Sequence, residues 1–327
     1  YMQNLKALQT DNIADAPQLN NQAIQTGAVG AVYLFNSATN LSTLAGNTIS
    51  AETVASQGAT FYGPQSWNTL QQSGFGGSLA FADLNNSNSN SLVIGAAATG
   101  GPGAVYALDP QWAFNNPSSE PWLSKTNLGS NQYLAHLASS LTLYGAESYD
   151  QFGHGLVNLG DTNKDGYDDL LIQAFNANAG AGTGTVLFGG EHLFTTTTAE
   201  TTKNTSITIP NAATGSVAPG SIGTFKRADG QSFSSAVLSE LGAGTGATGQ
   251  GTFGPGDVNG DGLNDIPLGA GNNGQAYLTY GHDYLEAIGN LQLQKLASDT
   301  GYLLDGLATT TQGSLRSIGE DRKSTRL

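Results

Sequence analysis

The chain contains no cysteine, and only 11% of its residues are charged. Without cysteine there can be no disulfide bond, no thiolate metal site and no cysteine nucleophile. Its apolar runs are short, as at residues 92–94 before Gly95, whereas a membrane-spanning helix needs about 20 apolar residues. We therefore expect no membrane insertion.

Basic residues are scarce as well. The 327 residues include 25 acidic and 11 basic side chains, which gives a net charge of −14. The lysines and arginines form no stripe that could neutralise phosphates, and this argues against nucleic-acid binding. A surface of this charge favours cations.

Glycine, in contrast, is abundant, with 45 residues against 10 prolines. Hydrophobic residues make up 38% of the chain, more than a disordered chain of this charge would hold. The first residues lack the basic and apolar regions of a signal peptide, and residues 321–327 (DRKSTRL) resemble the translation of a sequencing adaptor. We therefore expect a fragment truncated at both ends, with a non-native tail at 321–327.

One phrase recurs four times: a glycine followed by a short β-branched and aromatic run, which is typical of a strand. The copies are residues 30–35 (GAVYLF), 103–108 (GAVYAL), 184–188 (GTVLF) and 274–279 (GQAYLT). Acidic turns beginning at Asp83, Asp161 and Asp257 precede the last three copies. Phe75-Gly and Phe152-Gly come before two of these turns, and Phe233-Ser is a looser third copy.

A final strand fits between units, for example at residues 206–209 or 290–293, and gives four strands per unit, as in a β-propeller blade. Leucines and a tyrosine between residues 134 and 144 have helical spacing, but no N-cap precedes them. We predict a connection between blades at that place.

The order Phe-Gly, then Asp-x-Asn-x-Asp-Gly-x-x-Asp, then Gly-x-Val-Tyr resembles the FG-GAP repeat of the N-terminal β-propeller of integrin α-subunits. The resemblance covers nearly the whole chain and implies an all-β fold, a β-propeller of four-stranded antiparallel blades. The resemblance implies seven blades, of which about four and a half are visible, so residues 1–320 would form an open, partial propeller. Its approximate blades are residues 1–60, 61–140, 141–222 and 223–300, with the start of another at 301–320.

Two acidic loops carry side-chain oxygens at positions 1, 3, 5 and 9 of a tight turn. These residues are Asp161, Asn163, Asp165 and Asp169 in one loop, and Asp257, Asn259, Asp261 and Asp265 in the other. The backbone carbonyls of Tyr167 and Leu263 would add a ligand at position 7. A set made only of oxygen atoms suits Ca2+ and disfavours zinc and copper. We predict a calcium site in each loop.

The alternative is a plain hairpin in which Asp and Asn cap a turn. In the loop that begins at Asp83, serines stand at positions 5 and 9 and one carboxylate remains, so we expect this loop to fold without an ion. An EF-hand is excluded for the other two, because position 12 is Ile172 or Leu268 instead of Glu and strand-like runs follow.

The sequence contains no motif of a common catalytic site, and its four histidines lie far apart. We expect a protein that is not an enzyme. A loop at residues 110–122 holds Trp112, Phe114 and Trp122, which could bind a protein or glycan ligand; alternatively, its tryptophans pack between blades.

The resemblance implies a calcium-stabilised adhesion or recognition propeller, either extracellular or at the cell surface. The alternative is a propeller scaffold or carbohydrate-binding domain of a secreted hydrolase or lyase whose catalytic part lies elsewhere.

Overall fold

The chain is an all-β protein. The computed structural model describes residues 30–35, 58–63, 74–97, 101–108, 132–134, 141–145, 147–177, 182–191, 193, 205–208, 224–226, 232–239, 256–270, 275–283, 285, 290–292 and 301–304. These residues form seventeen strands, and helical conformation among them is confined to Ala177 and Leu285. The predicted fold class, all-β, is therefore confirmed. None of the described segments forms a helix long and apolar enough to cross a bilayer.

The strands form four small sheets that follow one another along the chain. The first sheet contains β1 (Ala31–Phe35), β2 (Gly58–Tyr62) and β6 (Gln132–Leu134), in that spatial order. The second contains β3 (Phe75–Ala82), β4 (Ser91–Ala96), β5 (Ala104–Leu108), β7 (Leu141–Tyr144) and β11 (Thr205–Thr208), also in spatial order.

The third sheet repeats this plan with β8 (Phe152–Gly160), β9 (Asp169–Ala174), β10 (Thr183–Leu187) and β13 (Ser232–Ser239). Two further strands, β12 (Thr224–Lys226) and β16 (Asn290–Gln292), pair with β13. The fourth sheet contains β14 (Ile266–Ala270), β15 (Gln275–Thr279) and β17 (Gly301–Leu304).

Successive sheets share hydrophobic cores, which is why β4 and β9 are buried at every residue. Leu92 and Ile94 pack with Phe61 in the core between the first and second sheets. Val93 points to the opposite face, as alternation along a strand requires, and packs with Ile172 in the core between the second and third sheets. A third core joins the third and fourth sheets and contains Leu171, Val186, Ile266, Leu268 and Tyr277.

The Phe-Gly pairs mark a β-bulge at the start of two strands. Phe75 and Phe152 are almost fully buried, and Gly76 and Gly153 after them have φ of 81° and 86°. The register of β3 and β8 then shifts against the neighbouring strand, which defines the bulge. A Cβ atom at Gly153 would lie 2.5 Å from the carbonyl oxygen of Ala104 in the second sheet. Glycine is required here because the two sheets approach closely.

Three sheets have an outer edge that is closed by a strand of the next repeat. β6, β11 and β16 pair in parallel with β2, β7 and β13. Each closing strand lies in the connection between two paired strands of the following sheet, namely β5–β7, β10–β13 and β15–β17. Neighbouring repeats are thus joined by backbone hydrogen bonds as well as by side-chain packing.

This pairing corrects the strand assignment that the sequence pattern predicts. Residues 206–209 and 290–293 are predicted as last strands of their own units, but β11 and β16 join the preceding sheets. The segment at Phe233, predicted to open a unit, instead forms β13 beside β10. The connection predicted across residues 134–144 contains the strand β7. A strand pattern specifies an extended segment and its buried face, but it does not specify the partner at an edge.

Candidate metal centre

The loop between β8 and β9 folds around the carboxylate of its first residue, Asp161. Its Oδ1 accepts hydrogen bonds from the backbone N–H groups of Lys164 (2.6 Å) and Asp165 (3.2 Å), and its Oδ2 accepts one from Gly166 (3.0 Å). Lys164 and Gly166 have φ of 68° and 88°. The glycine at position 6 therefore permits a left-handed backbone that brings these donors together.

Positions 3 and 5 of the same loop are joined to each other. Asn163 Nδ2 donates to Asp165 Oδ2 at 2.9 Å, and Asn163 Oδ1 accepts the backbone N–H of Asp165 at 3.2 Å. Asp165 Oδ1 accepts the N–H of Tyr167 at 2.9 Å. The side-chain oxygens at positions 1, 3 and 5 thus lie within one hydrogen-bond network.

The Asp257 loop reproduces this network. Asp257 accepts the N–H groups of Gly260, Asp261 and Gly262. Asn259 Nδ2 donates to Asp261 Oδ2 at 2.9 Å, and the N–H of Leu263 donates to Asp261 Oδ1 at 2.8 Å. The two loops therefore have the same conformation at positions 1 to 7.

The aspartates at position 9 lie beneath the loops and are fully buried. Asp169 Oδ2 accepts the N–H and the hydroxyl of Thr162, and its Oδ1 accepts the N–H of Gly189 at 3.0 Å. Asp265 Oδ2 accepts the N–H of Val258 at 2.7 Å, and its Oδ1 accepts the N–H of Gly281 at 3.0 Å. Asp169 thereby ties its loop to the end of β10, and Asp265 ties its loop to the end of β15.

Burial is the main influence on the pKa of three carboxylates in these loops, and a neighbouring carboxylate adds to it. Burial raises the pKa of Asp169 to about 7, the charge of Asp165 adds to the rise, and the donors on Thr162 and Gly189 oppose it. Burial also raises the pKa of Asp165 and Asp265, with smaller contributions from Asp161 and Asp261 respectively. A nearby cation would offset both the burial and the mutual repulsion of these charges.

The Asp83 loop, between β3 and β4, has the same backbone with fewer acidic residues. Asp83 accepts the N–H groups of Ser87 (2.9 Å) and Asn88 (3.0 Å), at positions 5 and 6. Asn86 and Asn88 have φ of 51° and 58°, at the positions of Lys164 and Gly166. The turn therefore forms without carboxylates at positions 5 and 9.

Position 8 links each loop to the loop before it. The N–H of Asp168 donates to the carbonyl of Asp83 at 3.3 Å. Asp168 Oδ2 accepts the N–H of Asp83 and the Nδ2 group of Asn158, both at 2.9 Å. Asn264 repeats the link. Its N–H donates to the backbone carbonyl of Asp161 at 3.4 Å, and its Nδ2 donates to the carbonyl of Leu159 at 2.7 Å. The three loops therefore form a connected row.

The predicted ligands at positions 1, 3 and 5 share one hydrogen-bond network in each loop, but their carboxylate oxygens face N–H donors of the protein. Across the described ranges no three His, Cys, Asp or Glu side chains are close enough to hold an ion. The donor set consists of carboxylate and amide oxygens, which suits calcium. A cation would have to replace loop N–H groups as the partner of the carboxylates at positions 1 and 5.

The sequence patterns miss several residues that build the site. Thr162 and the position-8 residues Asp168 and Asn264 are absent from the predicted set, although they hold a buried carboxylate or join two loops. Gly189 and Gly281 are missed as well. Gly189 follows the strand phrase at 184–188 and Gly281 follows the one at 274–279, and this shared placement in the two units is the signal that could have identified them.

No protein-family model matches the chain, and no curated protein matches it. The resemblance to FG-GAP repeats therefore depends on the motifs of the chain itself. Trp112, Phe114 and Trp122 lie outside the described residues, so the ligand-binding loop stays a prediction.

Proposed function

We propose that the chain is part of an FG-GAP-type β-propeller whose Asp161 and Asp257 loops bind calcium. The protein would serve adhesion or recognition outside the cell, without a catalytic role, and its partner would be a protein or a glycan. Weak calcium modules of extracellular proteins fill at the millimolar calcium found there.

The comparison with the Asp83 loop carries the calcium proposal. All three loops fold around the carboxylate at position 1 in the same way. Only the Asp161 and Asp257 loops add acidic residues at positions 5 and 9, where burial raises their pKa or a neighbouring carboxylate lies close. Since the Asp83 loop forms the same turn without these carboxylates, their burial and mutual repulsion are a cost to stability that a bound cation would offset.

The arrangement of the sheets supports the propeller proposal. Four sheets follow one another in the chain, and three cores lie between consecutive sheets. The second and third sheets contain four antiparallel neighbours in chain order, which is the plan of a blade. Calcium, when bound, would neutralise the clustered carboxylates of the Asp161 and Asp257 loops, at one end of the third and fourth sheets.

Calcium binding is tested by calorimetric titration of the calcium-free chain. We expect two sites in the wild type, one in Asp165→Ala, one in Asp261→Ala and none in the double variant. Ser87→Ala, at position 5 of the Asp83 loop, is the matched control and keeps both sites. Millimolar calcium should raise the melting temperature of the wild type, because the folded state alone offers the sites. Unchanged binding in the double variant would refute the assignment.

The two loops can also be told apart by terbium luminescence. Position 7 is Tyr167 in one loop and Leu263 in the other, so only the Asp161 loop has an aromatic residue at a predicted ligand position. We expect Tyr167→Leu to lower tyrosine-sensitised terbium emission while calorimetry still detects two calcium sites. Equal emission from Tyr167→Leu and wild type would place the ion elsewhere.

The recognition role is tested separately at the tryptophan loop. If Trp112 contacts the partner, Trp112→Ala should weaken binding to a glycan array or an extracellular protein ligand and leave the melting temperature nearly unchanged. Asp261→Ala should lower the melting temperature instead. A loss of several kcal/mol of stability in Trp112→Ala would show that this tryptophan is packed in a core.

A further inference from the structure

The strand β11 lies between two strands of the third sheet in the chain, but it closes the edge of the second sheet. Its four residues pair in parallel with β7, with Thr205 opposite Leu141, Ser206 opposite Thr142 and Thr208 opposite Tyr144. Its own repeat forms the third sheet, through β10 and β13. The contact therefore links two units through a short segment of backbone.

The corresponding edges of three sheets are closed by strands of different sequence. The segments Gln132–Leu134, Thr205–Thr208 and Asn290–Gln292 take the corresponding place in three sheets. None of them contains a charged residue or a proline, the residues that usually protect an edge from a foreign strand. Pairing at such an edge depends on backbone hydrogen bonds more than on side-chain identity.

The chain length on both sides of β11 permits another route into the same edge. Eleven residues, 194–204, lie between β11 and the buried Leu193, and residues 209–223 join β11 to β12. The entropy of closing such a connection changes slowly with its length. A strand supplied by a second molecule makes the same contacts as the chain's own strand, so exchange between copies costs little enthalpy.

We propose that two copies of this chain exchange β11, so that the β7 edge of each copy is closed by Thr205–Thr208 of the other. The exchange is independent of the calcium loops and of the proposed function. It makes the outer sheet edge an interface for a second copy of the chain.

A disulfide lock tests the exchange, and the absence of native cysteine keeps the test clean. Thr142 and Ser206 are Cα partners across β7 and β11, and neighbouring strands bring Cα atoms to a distance that a disulfide can span. The double variant Thr142→Cys/Ser206→Cys, oxidised at low protein concentration, should form an intrachain disulfide and stay monomeric when concentrated. After reduction, the same protein should again form dimers in light scattering. Equal dimer fractions in the locked and reduced forms would overturn the proposal.

A mixing experiment then identifies the exchanged strand. Thr142→Cys and Ser206→Cys chains, unfolded together and refolded under oxidising conditions, should give a mixed disulfide dimer. Thr142→Cys mixed with Glu191→Cys is the collision control, because Glu191 is exposed and distant from β11 in sequence. The yield should exceed the control by roughly tenfold or more, since pairing raises the local thiol concentration to the millimolar range. A yield equal to the control contradicts exchange of β11.

The first sheet supplies a second lock in case Thr142→Cys does not fold. Thr60 and Gln132 are Cα partners across β2 and β6, and the buried Thr60 hydroxyl has no hydrogen-bond partner that cysteine would lose. This lock should form within one chain and leave β11 exchange, and hence dimerisation, unchanged. If locking β6 alone abolishes the dimer, β11 is not the strand that exchanges.

Discussion

Gln151 has a backbone conformation that favours glycine. Its φ is 57°, and Gly74 has φ of 61° at the same place before Phe75. In both repeats the carbonyl of this residue accepts the N–H three residues later at 3.1 Å. The two positions are therefore equivalent, and a glutamine stands where the other repeat has glycine.

We expect Gln151→Gly to stabilise the protein by up to about 1 kcal/mol, because relief of the left-handed conformation exceeds the extra entropy that glycine loses on folding. Gly153→Ala should instead destabilise by about 2 kcal/mol or more, since its φ is 86° and the new Cβ meets the backbone of Ala104. Urea unfolding of both variants measures the difference. A destabilised Gln151→Gly would mean that the glutamine side chain contributes more than its strain costs.

Asp169 should make the calcium-free protein sensitive to pH. Its folded pKa of about 7 lies above its ordinary value of 3.8, so between these values the folded state holds a proton that the unfolded chain has released. The resulting stabilisation is complete below the lower value and is lost as pH rises through the upper one. In the presence of chelator, the midpoint of urea unfolding should fall as the pH rises from 3.8 to about 7.

The variant Asp169→Asn, which cannot titrate, isolates this contribution. It is expected to be less stable than wild type, because one of its oxygens becomes an amide group facing an N–H donor. Its urea midpoint should nevertheless fall less steeply between pH 4 and pH 7 than that of wild type. The difference in slope should correspond to the release of about one proton. Identical slopes for the two proteins would assign the pH dependence to other groups.

At the level of elements, the three acidic loops behave as one row. Asp168 Oδ2 holds the first residue of the Asp83 loop and the Asn158 side chain of β8. Asp168→Ala leaves both donors without their acceptor, and we expect it to cost about 1–3 kcal/mol. Hydrogen exchange should increase in the Asp83 loop as well as in the altered loop.

Asp168→Asn is the matched control for that change. Both donors bind the same oxygen, Oδ2, and the amide oxygen of asparagine can accept both. The loss of stability should therefore be smaller, and exchange in the Asp83 loop should rise less. If Asp168→Ala affects only its own loop, the contact between loops does not transmit stability.

At the scale of the whole molecule, repeats joined by closing strands should not unfold independently. The substitution Ile207→Pro removes a backbone N–H from β11, and few positions in a paired strand tolerate proline. We expect Ile207→Pro to increase hydrogen exchange in β7, which belongs to the preceding sheet. Ile207→Val keeps the N–H and the strand propensity, so it should leave exchange unchanged.

The opposite pattern for Ile207→Pro would be informative. Lost protection in β10 with full protection in β7 would show that β11 stabilises its own repeat. In that case each repeat would unfold independently, and the free energy of unfolding of the molecule would be the sum of those of its repeats, without a contribution from their contacts.

The sequence by itself determined the features that depend on local geometry. The all-β class follows from short β-branched runs separated by glycine-rich turns. The acidic loops adopt the predicted turn, because the carboxylate of Asp161 or Asp257 binds donors only a few residues away and glycine permits the required φ at position 6. Phe75 and Phe152 anchor their strands where the repeated motif places them.

Tertiary structure decided the rest, because it depends on contacts between distant residues. The backbone hydrogen bonds of β11 could be satisfied beside several strands, and only the neighbouring sheet selects β7. β13 joins β10 for the same reason, although its first residues resemble the start of a unit. Burial of Asp169 and Asp265 also depends on the return of β10 and β15, since Gly189 and Gly281 at the ends of these strands supply donors far along the chain.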